Sequence, residues 1–233
     1  EAWEIFGCTD LNALNYSQDA NTDDGSCIYP GEGFCTGSNT EELFDISLCD
    51  TQDVSFLQDI ITNNNLDIEP SDLGYSQVWS NGRLHDINMY DSNLGGNIPE
   101  SIGNVSELRE FAIHYNNFDG ELPPSIYSLT NLQRLVLLNN NFSGSISEEI
   151  CNMSSLNELK LHNNNFSGSL PDCICQVGTI DFYGNQFCGP YPDCLETWQI
   201  NDQNTNNCEA WEIFGCTDLN ALNYSQDANT DDG

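Results

Sequence analysis

Near the N-terminus Asp19, Asn21 and Asp23 stand at alternate positions, Asp24 follows, and Gly25 permits a tight turn. Alternate side chains of such a loop can converge on one hard cation, so these four form a candidate calcium site with calcium as the cofactor. The string DANTDDG carries one residue more before its glycine than the usual calcium loop, and no bidentate Glu follows. An acidic turn held by Asx-type hydrogen bonds explains the same residues. A second kind of chemistry is attachment: Asn15, Asn104, Asn141, Asn152, Asn165 and Asn223 each begin an Asn-X-Ser acceptor for N-linked glycans. Catalytic sets are missing. The sequence has no HExxH, no GxSxG and no phosphate loop, and GEGFCTG beside Cys35 misses the dinucleotide spacing. The expectation is a protein that is not an enzyme.

Lys and Arg number 4 against 37 Asp plus Glu, a formal net charge of −33. Such a surface repels nucleic acid and anionic lipid, and no run of about 18 apolar residues suggests a membrane span. Residues 1–25 recur letter for letter as 209–233, and this explains the odd total of 11 Cys, because Cys216 is the image of Cys8. One period then holds Cys8, Cys27, Cys35, Cys49, Cys151, Cys173, Cys175, Cys188, Cys194 and Cys208. An even set of this kind implies disulfides and an oxidising, extracellular or cell-surface location. Zinc is disfavoured because no pair of CxxC units occurs.

The elements that position these groups show in a shorter period. Leu84, Leu108, Leu132 and Leu156 stand 24 apart and open similar frames, such as LQRLVLLNNNFSGSISEEI and LNELKLHNNNFSGSLPDCI. Each frame predicts a short strand with inward pairs Ile87/Met89, Phe111/Ile113, Leu135/Leu137 and Leu159/Leu161. An Asn turn, a returning aromatic or Leu, a Gly bend and a second apolar pair follow. Stacked coils of this kind share a core that none could form alone. The column Asn116, Asn140, Asn164 and Asn185 predicts a ladder of amides satisfying backbone groups at the bend. Upstream, Val54, Leu57 and Ile61 predict a helix over Cys49 to Asn63, with Asp50 or Thr51 as N-cap.

These frames resemble the plant-type leucine-rich repeat, LxxLxLxxNxFxGxIP, over about half of one period. Ser92 replaces the first ladder Asn, Ser147 replaces the Pro found at Pro99, Pro123 and Pro171, and the fourth coil is three residues shorter. The resemblance implies an α/β solenoid of about five coils with a helical N-terminal cap in which Cys35 and Cys49 are bridged. It also implies a concave binding face, whose column here reads Tyr90, His114, Leu138, His162 and Tyr183. Aromatic and imidazole rings suit a sugar or a peptide strand, and the same stripe equally suits packing against the next subunit or a merely tolerated exposed column. Residues 6–27, FGCTDLNALNYSQDANTDDGSC, resemble a short module found in tandem in large bacterial and algal surface proteins, with Cys8 paired to Cys27. Cys151 and Cys175, one period apart, predict a bridge between neighbouring coils, leaving Cys173, Cys188, Cys194 and Cys208 to pair among themselves. Asn141 and Asn165 are one coil apart and Asn104 and Asn152 two, which predicts sugar-coated rows along the flanks.

The organisation expected is a Cys-bridged acidic linker module at 1–30, an N-terminal cap at 31–83, and leucine-rich repeats at 84–189. A Cys-rich C-terminal cap at 190–208 and the start of the next linker module at 209–233 complete it. The exact terminal repeat favours a structural subunit or tandem repeat of an extracellular, glycosylated fibre or surface adhesin, with neighbouring copies as partners. The alternative is a secreted recognition ectodomain that binds a peptide or glycan on the concave face.

Overall fold

A computed structural model describes residues 5–7, 9–10, 17–24, 35, 37–38, 46–200 and 202–208. In chain order the strands are β1 (Phe6–Gly7), β2 (Thr22–Asp23), β3 (Gly37–Ser38), β4 (Ser76–Ser80), β5 (Arg83–Asn88), β6 (Gly95–Gly96) and β7 (Glu110–Ala112). They continue as β8 (Asn117–Gly120), β9 (Arg134–Val136), β10 (Asn141–Gly144), β11 (Glu158–Lys160), β12 (Asn165–Gly168), β13 (Thr179–Asp181) and β14 (Gln186–Phe187). Helix α1 covers Thr51–Asn63 and α2 covers Thr197–Ile200.

Each coil has three sides. One side contributes a strand to a long sheet ordered β13-β11-β9-β7-β5-β4-β3, parallel from β5 to β13. The second contributes to a parallel sheet ordered β14-β12-β10-β8-β6. The third carries short 3₁₀ turns, Glu100–Asn104, Pro124–Ser128, Glu148–Asn152 and Asp172–Gln176. Strands stack about 4.8 Å apart, a closer spacing than helical turns allow, so the long sheet lines the concave side. Its inward residues Ile87, Phe111, Ile113, Leu135, Leu137, Leu159 and Leu161 have no exposed surface. Phe118, Phe142, Phe166 and Phe187 stack in a column with ring centroids 5.9–6.2 Å apart.

The Asn column forms the expected ladder. Asn140 donates from Nδ2 to the carbonyls of Ile113 and Leu137, both at 3.0 Å, and accepts the Phe118 N–H at 3.0 Å. Asn164 and Asn185 repeat the pattern one and two coils on. Each amide thus satisfies both its own bend and the neighbouring coil's, which couples the coils cooperatively.

Both ends of the stack are covered. Asp50 caps α1 by accepting the Gln52 and Asp53 N–H groups, and α1 buries Phe56, Leu57, Ile60 and Ile61. Phe56 meets Phe111 edge to face at 6.0 Å. Strands β4 and β5 form an antiparallel hairpin, turned at Asn81 and Gly82 with φ of 51° and 77°, as an Asn-Gly hairpin turn requires. At the far end Gln199 Nε2 donates to the Ile180 carbonyl at 3.0 Å. Gln203 Nε2 donates to the Phe182 carbonyl at 2.8 Å, so polar side chains rather than another strand meet the outer edge.

The disulfides correct one expectation. Cys35 is bonded to Cys49, with Cα atoms 5.3 Å apart. Cys151, however, is bonded to Cys173, not Cys175, while Cys175 joins Cys194 and Cys188 joins Cys208. Equivalent positions on stacked coils are related by translation, so their side chains project in parallel. A bridge needs Cβ vectors that face each other. Cys173 and Cys175 flank buried Ile174 on one 3₁₀ turn, and the two sulfurs serve opposite neighbours. Cys8 and Cys27 lie outside the described residues.

Candidate functional site

The parallel register places Tyr90, His114, Leu138, His162 and Tyr183 on successive rungs of the concave sheet. The N–H of Asp91 donates to the His114 carbonyl, Tyr115 to Leu138, Asn139 to His162 and Asn163 to Tyr183. At the N-terminal end Tyr90 and His114 have ring centroids 4.8 Å apart. Tyr115 closes the group, 5.6 Å from Tyr90 at an interplanar angle of 85°. Tyr90 is 45% exposed and Tyr115 51%. In the middle Ala112, Val136 and Leu138 form a small apolar cluster separate from the main core. At the C-terminal end His162 stacks on Tyr183 with centroids 4.5 Å apart, and its Nδ1 lies 2.9 Å from Asp181 Oδ2.

Beside this column runs a line of alternating charge. Arg134 bridges Glu110 at 2.6 Å and Glu158 at 2.5 Å, and Lys160 Nζ lies 2.8 Å from Glu158. The Lys160 ammonium, and then the Arg134 guanidinium, hold the Glu158 carboxyl below the usual range. Burial pushes the His114 and His162 imidazoles down. Lys160 and Arg134 add to the effect at His114, while Asp181 opposes it at His162. Burial thus favours the neutral form of both rings.

The glycan acceptors Asn104, Asn141, Asn152 and Asn165 are all exposed. Asn141 and Asn165 open β10 and β12 on the lateral sheet, and Asn104 and Asn152 end 3₁₀ turns, so none lies on the concave sheet. Asn15 and Asn223 fall outside the described residues. In the linker segment β1 pairs with β2, and Asn21 Oδ1 accepts the Ile5 N–H at 2.9 Å and the Thr22 hydroxyl at 3.2 Å. Asp19, Asp23 and Asp24 surround this turn in sequence. Among the described residues no group of three or more His, Cys, Asp or Glu is arranged to hold a metal. No described helix is long and apolar enough to cross a membrane.

Sequence reasoning missed Tyr115. Its column reads Asp91, Tyr115, Asn139, Asn163 and Gly184, all at positive φ between 48° and 64°. Asp, Asn and Gly tolerate that region and a bulky aromatic does not, so the one mismatched letter was the available signal.

Residues 131–153 and 155–177 match the Leucine Rich Repeat family. Among solved structures the chain is similar to that of the BIR3–SERK2 complex from Arabidopsis thaliana. The identity is 28%, 53% of this chain and 69% of that chain are covered, and the TM-score is 0.51. The leucine-rich-repeat ectodomain of the receptor kinase SOBIR1 from the same plant is similar at 26% identity, covering 60% and 83% with a TM-score of 0.53. The BIR2 ectodomain shares the fold at 23% identity, covering 63% and 85% with a TM-score of 0.52. No curated protein matches the chain. The fold is a leucine-rich-repeat solenoid, similar to those of these plant ectodomains.

Proposed function

We propose that this chain is a non-catalytic, extracellular recognition module that binds a peptide or glycan on its concave sheet. The observation that carries the reading is the surface itself. Two exposed tyrosines, the partly buried rings of His114, His162 and Tyr183, and a charged line run along one sheet over the buried Ala112, Val136 and Leu138, while every described glycan acceptor faces elsewhere. The similarity to the SOBIR1 ectodomain and to a structure of two proteins in complex supports recognition over a purely mechanical role. The disulfides support an oxidising location. Peptide and glycan arrays probed with the whole protein test the reading. A bound ligand that is lost on Leu138→Arg, with the melting temperature retained, supports it; ligands indifferent to Leu138→Arg reject it.

A second reading rests on the exact recurrence of residues 1–25 at 209–233: the module is one bead of a tandem array, joined through disulfide-stapled linkers into a fibre or adhesin. Covered ends on the solenoid favour separate beads over a continuous superhelix. Electron microscopy of purified material then shows a regular axial repeat, and dispersed monomers alone reject the array.

A further inference from the structure

We propose that Tyr90, His114 and Tyr115 form a cation-accepting ledge that takes a lysine or arginine side chain of a basic extracellular peptide. This deepens the concave-face reading and rests on it. Four of the five coils carry Asp, Asn or Gly at the left-handed position preceding the ladder, and only the second coil carries an aromatic there, at φ 57°. Nothing in the core requires that residue. The ring is 51% exposed and touches only the rings of Tyr90 and His114 among its aromatic neighbours. Backbone strain kept at an exposed aromatic marks a position held for a partner.

The geometry specifies the partner's charge. Tyr115 meets Tyr90 and His114 edge to face, at 5.6 Å and 5.8 Å, Tyr90 lies over His114 at 4.8 Å, and the two exposed tyrosines leave ring surface open to solvent. Ring faces attract cations, most strongly when water is stripped from them. The imidazole of His114 is held neutral by burial and by Lys160 and Arg134, so it does not repel a cation. Asp91, exposed and adjacent to Tyr90, occupies the same column as Tyr115 one coil earlier and adds a negative charge to this end of the face. The described cations of this face, Arg134 and Lys160, are engaged with Glu110 and Glu158 further along. With a formal charge of −33 on the whole chain, a basic peptide is drawn in at long range and held here at short range.

The test titrates the full chain with hexa-arginine amide at physiological ionic strength. Tyr115→Asn and Tyr90→Ala are expected to weaken binding about tenfold each, with the melting temperature of Tyr115→Asn at or above that of the original. Asp119→Asn removes one exposed carboxylate on the lateral sheet and is expected to change binding by less than about twofold. Equal weakening by Asp119→Asn and Tyr115→Asn would mean diffuse attraction and overturn the ledge. So would binding that Tyr115→Asn leaves unchanged. If a chito-oligosaccharide binds in a Tyr115-dependent way and hexa-arginine does not, the cationic partner is wrong while concave-face recognition stands. Recognition itself falls by the separate Leu138→Arg result.

Discussion

Gln203 does for the last coil what Asn185 does for the coil before it. Asn185 Oδ1 accepts the Phe166 N–H at 3.0 Å and its Nδ2 donates to the Leu161 carbonyl at 3.0 Å. Gln203 Oε1 accepts the Phe187 N–H at 3.0 Å and its Nε2 donates to the Phe182 carbonyl at 2.8 Å. A longer amide, arriving from outside the repeat, supplies the missing rung and ends the ladder without orphaned groups.

Gln203→Ala is therefore expected to leave the Phe187 N–H unpaired at the last coil and to take one of two donors from the Phe182 carbonyl, which keeps Asn185 Nδ2, costing about 1–3 kcal/mol. Amide hydrogen exchange checks where the loss falls. The Phe187 N–H should exchange faster while the Phe118 N–H, held by Asn140, keeps its protection. Uniform acceleration along the solenoid would contradict a local cap.

What the sequence discloses follows from where the information lies. Strands, ladder and Phe column repeat every coil, so one period read several times reveals them. Gln203 escapes because its role is defined by a rung that has no repeat frame. The Cys151 partner escapes because column membership says which residues stack but not which way their side chains face. Likewise the α1 pattern exposes Leu57 and Ile61 as core, whereas Asp53, on the same helix, reads as a solvent residue until its partner Arg83 is placed.

Asp53 is fully buried and accepts from Arg83 Nε at 2.8 Å, Arg83 Nη2 at 2.9 Å and the Leu84 N–H at 2.8 Å. This pins the helical cap to the first strand of the solenoid. Arg83→Met leaves a buried carboxylate uncompensated and is expected to cost about 3–5 kcal/mol. Asp53→Ala should cost less, because Arg83 is partly exposed and can turn its charge to water. Chemical denaturation of both variants measures the asymmetry, and equal costs would show that the pair matters only through packing.

The imidazoles give a pH dependence. His85, His114 and His162 all have pKa values below the ordinary value, burial being the leading cause in each. A depressed folded-state value means that the unfolded chain binds more protons, so this contribution is fully present above about pH 6.5 and is lost as pH falls from there through the folded values. Relief of repulsion among the carboxylates acts in the opposite sense on acidification, so the comparison must be internal. The melting temperature of the original chain, measured relative to that of His114→Gln, is expected to fall between pH 7 and pH 5. A constant difference across that range would remove His114 from the account.

The disulfide assignment makes the most direct prediction about the C-terminal half. Non-reducing digestion that also cuts beside Ile174 should release one fragment pair joining Cys151 to Cys173 and another joining Cys175 to Cys194. Because the first bridge closes a separation of 22 residues between adjacent coils, replacing both its cysteines with Ala is expected to cost about 2–4 kcal/mol. Replacing Cys151 and Cys175 instead breaks two bridges at once and strands Cys173 and Cys194 as free thiols, so it should cost more and yield two titratable sulfhydryls beyond those of the original chain of 11 Cys. If that second pair of substitutions released no thiol, Cys151 would be bonded to Cys175, and the translational argument about parallel side chains would fail with it.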